Sequence, residues 1–307
     1  MKHRINDPGI GDGSSPIAKR IIGTDGTFNV EHINKKTNFS ETYNFLLRIT
    51  WMQFYGLSFL AYCILNIGFA LIYMFIGVKQ MADPSGHYSN DFFQAFFFSC
   101  QTFTTVGYGA MAPHGLASGV FSAFEAFVGL LFFAFVTGLL YGRFSKPKPS
   151  LRFSEHLIYR NYKEGKALMF RLVSNKKGVM IRPKVTMTLS LSLPNGSGEY
   201  TNNFYTLKPE REAITYLPAT WTIVHEIEDD GPFHQFQDQE LIQQHGEILV
   251  MVSYYDEAFN SEINQMYSYL MKDIKVNYKF IKAYNYNDKG KMTMDYSLFN
   301  TIEPHNS

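Results

Sequence analysis

The chain has 307 residues, longer than one typical domain and short for three, so two domains are expected. Its formal net charge is +1 at pH 7, which argues against a basic surface built for nucleic acid. Its two cysteines, Cys63 and Cys100, lie in apolar stretches and make neither a disulfide framework nor a zinc site.

The first 20 residues are polar, with Gly, Ser, Pro and Asp where a secretory signal would carry an apolar core, so the N-terminus is expected in the cytoplasm. Residues 1–37 read as an N-terminal segment. From Asn38 to Leu47 the pattern suits a short amphipathic helix lying along a membrane surface, with Ser40 as N-cap and Tyr43, Leu46 and Leu47 on one side. A simple continuation of the next helix fits almost as well.

Two stretches are long enough to cross a bilayer, which takes about 20 apolar residues. The first spans about 50–78, and nothing from Ile49 to Val78 is charged. The second spans about 116–142, with Glu125 as its only charge. Neither has the polar face of a surface helix in a soluble protein. Lys35, Lys36 and Arg48 precede the first span, and Arg143, Lys146, Lys148 and Arg152 follow the second. The intervening loop sets Lys79 beside Asp83 and Asp91. Positive-inside counting then predicts a multi-pass protein of the inner cell membrane with both termini cytoplasmic. Trp51 and Tyr141 sit where interfacial aromatics are expected. Arg48, Arg143, Lys146 and Lys148 could also attract anionic lipids, at roughly 1 kcal/mol each. Positive-inside anchoring explains the same residues equally well.

Between the spans, Asp91 to Thr102 carries Phe92, Phe93, Phe96, Phe97 and Phe98, with Asn90 or Asp91 able to cap a helix start. This predicts a short re-entrant helix over about 91–103. Thr105-Val106-Gly107-Tyr108-Gly109 follows, and Pro113 breaks the run. Four copies of this pentapeptide form the filter described for potassium channels, so the assignment is a match of sequence. A potassium ion must exchange its water for oxygens of similar cost, which backbone carbonyls supply. Gly107 and Gly109 allow dihedrals that turn successive carbonyls to one axis. Thr105 adds a hydroxyl, and Tyr108 is expected to face away and brace the filter. Irregular backbone at this depth requires protein or a wet pore around it. One filter segment per chain implies a homotetramer, with K+ at the filter as permeant ion, no other metal and no cofactor. Glu125, alone in its span, is a functional candidate.

After Pro147 and Pro149 the composition shifts to short runs rich in Val, Thr, Tyr, Ile and Met, separated by turn signals. These include Asn175 to Gly178, Pro194 to Gly198, Asp229 to Pro232 and Asn287 to Gly290. Residues 149–307 thus read as an all-β sandwich, with a weak helix candidate at Asp238 to Gln244. The fold expected is a multi-domain membrane protein, in which an α-helical two-span pore domain (38–148) precedes this β-domain. A membrane-anchored sensor or binding protein could also pair two spans with a sandwich, but it would not need the re-entrant helix and filter. An enzyme is not expected. The nine histidines are scattered, no Gly-x-Ser-x-Gly or metal-ligand spacing occurs, and His225 lies in a strand-like run that suits a core histidine.

From about Lys19 to Pro304 the chain resembles the inward-rectifier potassium channel family, most closely its bacterial branch. The resemblance rests on Arg20 to Val30, the filter, Glu125 to Gly129, Arg143 to Pro147, Leu151 to Ser154, Leu168 to Leu172, Thr222 to Ile227, Ser268 to Leu270 and Asp295 to Ser297. It implies an immunoglobulin-like cytoplasmic domain that extends the pore, and an N-terminal strand around Asn29 and Val30. It implies a gate at the inner-helix crossing, with Phe133 and Tyr141 as its residues and Gly129 and Gly138 as hinges. Eight residues of helix rotate the second position about 80° from the first, so the two rings need not share one stripe. The resemblance also sets Glu125 behind the filter as a support. Strong rectifiers carry an acid on the inner helix where Phe133 stands here, so weak block by Mg2+ or polyamines is expected. In the cytoplasmic pore it points to Glu199, Tyr254 and Tyr255. The constriction Ser253 to Phe259 lacks the glycine usual there.

Overall fold

The computed structural model describes residues 3–11, 13–14, 20–34, 39–78, 90–147, 149–175, 180–194, 199–234, 236 and 238–305. Lys35, Lys36, Lys79, Asp83 and Lys148, and the turns at 176–179 and 195–198, lie outside the described residues. The chain forms two compact units, one of residues 34–146, the other joining 1–33 to 147–307.

The helical unit holds α1 (Phe39–Arg48), α2 (Trp51–Ile76), α3 (Asp91–Phe103) and α4 (Leu116–Ser145). Ser40 falls inside the first turn of α1, so it does not occupy the expected N-cap position. α1 and α2 are separate helices because Thr50 starts a new one. Its hydroxyl accepts from the Gln53 amide at 3.3 Å, and the Gln53 side chain accepts from the Thr50 amide at 3.0 Å. α3 starts at an Asn90 cap, whose carboxamide oxygen accepts from the Phe92 amide at 2.9 Å. α4 runs past the expected end at Gly142 to Ser145, since Arg143, Phe144 and Ser145 all tolerate helix. Lys146 stops it at an extended ψ of 116°, as a residue before proline must.

The core of this unit is Phe69, Ala70, Tyr73, Ala95, Phe98, Phe103 and Met111, drawn from α2, α3 and the segment after Gly109. Outside it the spans stay apolar but exposed. Phe75 is 94% exposed and Leu116 89%, which suits lipid or neighbouring subunits rather than water. α2 and α4 are both long and apolar enough to cross a membrane.

The second unit is a sandwich of two sheets. Its strands are β1 (Arg4–Ile5), β2 (Gly13–Ser14), β3 (Leu151–Phe153), β4 (Ile158–Tyr162), β5 (Gly165–Ser174), β6 (Met180–Pro194), β7 (Tyr200–Leu207), β8 (Tyr216–Leu217), β9 (Thr220–Glu226), β10 (Gly246–Asp256), β11 (Ser261–Leu270) and β12 (Lys275–Val276). One sheet runs β1-β7-β6-β10-β11, with β2 on β7 and β8 on β6. The other runs β12-β4-β5-β3, with β9 on β5. Alternate residues of facing strands fill the space between them: Leu168, Phe170 and Leu172 of β5, Val185, Met187, Leu189 and Leu191 of β6, and Ile248, Val250 and Val252 of β10. The short helix α5 (Asp238–Gln243) follows β9 and buries Leu241 in the same core.

The family-like segment at Arg20 to Val30 does not form a strand. It makes a single bridge, Ile22 to Phe28, around the turn at Gly23 to Gly26. Glu247, 5% exposed, holds it by accepting from the amides of Ile21 at 2.7 Å and Ile22 at 3.3 Å.

Candidate ion-conduction site

The C-terminal end of α3 delivers the Thr105–Gly109 segment and anchors its backbone. The Val106 amide donates to the Gln101 carbonyl at 3.0 Å and the Gly107 amide to the same carbonyl at 3.3 Å. The Thr105 amide donates to Thr102 at 3.0 Å. Thr105, Gly107 and Gly109 have φ of 58°, 55° and 84°, so every second residue is left-handed. Alternating handedness gathers successive N–H groups on one side, which leaves the carbonyls to the other. The sequence assigns this freedom to the glycines, but Thr105 shares it. A β-branched residue in that region is strained by roughly 1–3 kcal/mol. Nothing lies within 4 Å of a β-carbon built on Gly107 or Gly109, so dihedral freedom, not space, calls for glycine there. Tyr108 is 84% exposed within one chain.

Behind α3, Glu125 of α4 is fully buried. The Tyr73 hydroxyl of α2 donates to it at 2.6 Å, and Ser99 of α3 contacts its other oxygen. Ser99 also lies 3.0 Å from the Asn66 carboxamide oxygen, whose nitrogen donates to the Tyr62 carbonyl at 2.8 Å. Ser99 has one hydroxyl hydrogen and faces two acceptors. The count balances when Ser99 donates to Asn66 and a protonated Glu125 donates to Ser99. Three helices are thereby tied at one buried point. The sequence points to Glu125 but not to its partners. Asn66 and Ser99, polar residues in apolar helices, are the signal that could have found them.

Gly129 is a contact glycine in this structure. A β-carbon there would lie 2.9 Å from the carbonyl carbon of Phe103 and closer still to its oxygen. α4 therefore passes directly against the end of α3. Gly138 has nothing within 4 Å of its β-carbon position. Phe133, 43% exposed, sets its ring 6.2 Å from that of Phe103, while Tyr141 is 74% exposed.

Arg143, grouped by sequence with the lipid-facing basic residues, turns inward and is only 9% exposed. Its guanidinium donates to the carbonyls of Leu46 at 2.6 Å and Ile49 at 2.7 Å, and lies 4.6 Å from the Trp51 ring centre. It caps the end of α1, as a cation at a helix C-terminus does. α1 also packs on α4 where Gly142 approaches Tyr43 and Leu47. The sequence misses this pairing because only the folded corner shows that Arg143 faces carbonyls.

In the β-domain, Tyr254 does not line a channel. It is 2% exposed, and its hydroxyl reaches the Ser150 amide at 2.9 Å. Strand alternation explains the correction, since Tyr254 shares the core face of β10 with Val252 while Tyr255 points outward. Glu199 is exposed. His225 is buried, its Nδ1 2.8 Å from the Lys208 carbonyl, and burial holds its imidazole below the ordinary range.

Two apolar spans flank a re-entrant helix and an irregular, anchored backbone, and a two-sheet sandwich follows. That is the architecture of a two-span pore protein with an appended β-domain. The chain belongs to the inward rectifier potassium channel family: the family pattern described as Inward rectifier potassium channel C-terminal domain matches residues 151–306, and the one described as Ion channel matches 60–146. It is 28% identical to the inward rectifier potassium channel Kirbac3.1 of Paramagnetospirillum magnetotacticum, over 94% of this chain and 98% of that one. It is 25% identical to the G protein-activated inward rectifier potassium channel 2 of Homo sapiens and of Mus musculus, over 92% of this chain and 71% of theirs. The chain is thus a potassium channel subunit and not an enzyme.

Proposed function

We propose that four copies of this chain surround one axis and conduct K+ through carbonyls of Thr105 to Gly109. The observation that carries this is the left-handed alternation at Thr105, Gly107 and Gly109, with the amides of Thr105, Val106 and Gly107 tied back to α3. Carbonyls freed from internal bonds can replace an ion's water. Neighbouring chains would cover the exposed Tyr108 ring. The only ion required is the permeant one, and no cofactor enters.

Glu125 supports the filter through Tyr73 and Ser99. Phe133 and Tyr141 form the inner gate, and Gly129 and Gly138 belong to the helix that moves. The basic flanks support a position in the inner cell membrane with both termini cytoplasmic. Arg48, Lys146 and Lys148 meet anionic lipid, while Arg143 transmits the position of α1 to α4 through its carbonyl contacts. Glu199 and Tyr255 line the cytoplasmic pore. With Phe133 where strong rectifiers hold an acid, Mg2+ and polyamines block weakly.

Rubidium uptake into liposomes containing the purified chain tests the reading. Barium-sensitive uptake, competed by K+ but not Na+, is expected. Uptake that barium leaves unchanged, or none across an anionic-lipid series, contradicts it.

A further inference from the structure

A cluster of potential ligand side chains lies in the β-domain, where the N-terminal strand meets the loop after β9. β1 pairs with β7, with Arg4 opposite Tyr205 and Ile5 opposite Phe204. The Thr206 amide donates to the His3 carbonyl at 3.0 Å, which fixes His3 at the end of that pairing. On the other side, the chain leaves β9 at Glu226 and turns back, with the Gly231 amide donating to the Glu228 carbonyl at 3.0 Å. This turn brings Glu228 and Asp230 to His3. The His3 Nε2 lies 2.9 Å from a Glu228 carboxylate oxygen. Ligand atoms of His3, Glu228 and Asp230 all lie within 4.8 Å of one another.

A cavity beside His3 and Glu228 holds about 10 Å3, room for a single water-sized particle and not for an organic ligand. His225 lines it together with His3, Glu228 and Lys208. His225 is 5% exposed, and its Nδ1 faces the Lys208 carbonyl at 2.8 Å. A carbonyl only accepts, so Nδ1 carries the proton, and in the neutral ring Nε2 is left with a bare lone pair. Metal-ligating histidines are held in this way, one nitrogen donating to a carbonyl and the other free for the ion.

We propose that His3, Glu228 and Asp230, with His225 as fourth ligand, bind one divalent transition-metal ion of the zinc class. Two imidazoles with carboxylates favour such an ion over Mg2+ or Ca2+, which select oxygen alone. Tetrahedral ligand atoms at zinc–nitrogen distances of about 2.0–2.1 Å stand about 3.3 Å apart. His3, Glu228 and Asp230, within 4.8 Å of one another, therefore close by up to about an ångström and a half, and His225, outside that trio, joins from the lining of the adjoining cavity. Binding staples the two-residue strand β1, otherwise held by few backbone bonds, to the loop after β9. The N-terminal segment thereby becomes a metal-dependent part of the domain.

The test uses the full chain in detergent, stripped with chelator and free of any histidine tag, titrated calorimetrically with zinc chloride. One ion per subunit is expected. His3→Ala and Glu228→Gln, both at partly exposed positions, each weaken binding at least tenfold. X-ray absorption of the zinc-loaded protein should count two imidazoles. Zinc should slow amide exchange at Ile5 and Thr206 in the wild type and not in His3→Ala. Absence of stoichiometric binding, or equal affinity in both variants, overturns the site. A count of fewer than two imidazoles removes His225 from it.

Discussion

Gly129→Ala separates two accounts of α4, a flexible hinge and a tight contact with the end of α3, the helix that carries Thr105 to Gly109. The added β-carbon would stand 2.9 Å from the Phe103 carbonyl carbon and 3.2 Å from its Cα. Carbon atoms pack at about 3.5–4.0 Å, so the end of α3 must retreat by at least about 0.6 Å, the difference between 3.5 and 2.9. Backbone rather than a side-chain tip is in the way, so the strain has no cheap exit, and overpacking of this kind costs about 1–3 kcal/mol. The shift falls on Phe103, two residues before Thr105. Gly138→Ala is the control, because nothing lies within 4 Å of its β-carbon position and alanine gains roughly 1 kcal/mol of helix propensity. In liposome flux assays Gly129→Ala should lose K+ over Na+ selectivity and lower the thermal midpoint of the solubilised protein. Gly138→Ala should keep both. Equal behaviour of the two variants, or wild-type selectivity in Gly129→Ala, refutes the contact argument.

The Glu125 network predicts that Glu125→Gln stays folded and conducting, since a carboxamide can accept from Tyr73 and donate to Ser99. Glu125→Ala leaves the Tyr73 hydroxyl without an acceptor, at about 1–3 kcal/mol, while Ser99 keeps its bond to Asn66, and a melt matching wild type would contradict the network. Arg143→Ala removes two charged hydrogen bonds and should destabilise the α1 corner by about 3 kcal/mol or more, read as faster amide exchange in α1. Lys146→Gln should instead change the anionic-lipid dependence of flux without moving stability. Burial lowers the His225 pKa, so below its ordinary value of 6.5 the unfolded chain takes up a proton that the folded domain does not. Domain stability should therefore fall as pH drops from 6.5, in chelator, with β9 amides exchanging sooner; a flat profile would contradict this. Phe133→Glu should introduce steep block of outward current by micromolar spermine, against the weak block expected of the wild type.

Much of the architecture is legible because its signals are local. The Phe-rich run after Asn90 marks α3, and uncharged stretches of bilayer length mark α2 and α4. Alternation in Val185 to Leu193 marks the central strand β6. What escapes depends on contacts distant in sequence. Arg143 looks like one more flanking cation until the folded corner offers it the carbonyls of Leu46 and Ile49. Tyr254 and Tyr255 are adjacent, and only register decides which one enters the core. The family resemblance offers Gly129 as a hinge, but the sequence does not convey the approach of a backbone from another helix. His3 and Glu228 are 225 positions apart, so no motif spacing could join them.

The central claim is that the carbonyls of Thr105 to Gly109 select K+. Planar-bilayer recording of the purified chain under opposed K+ and Na+ solutions tests it most directly. The reversal potential should follow the K+ gradient, and Gly107→Ala, which cannot easily hold a φ of 55°, should abolish that selectivity. A reversal near zero in the wild type, or unaltered selectivity in Gly107→Ala, would contradict the account.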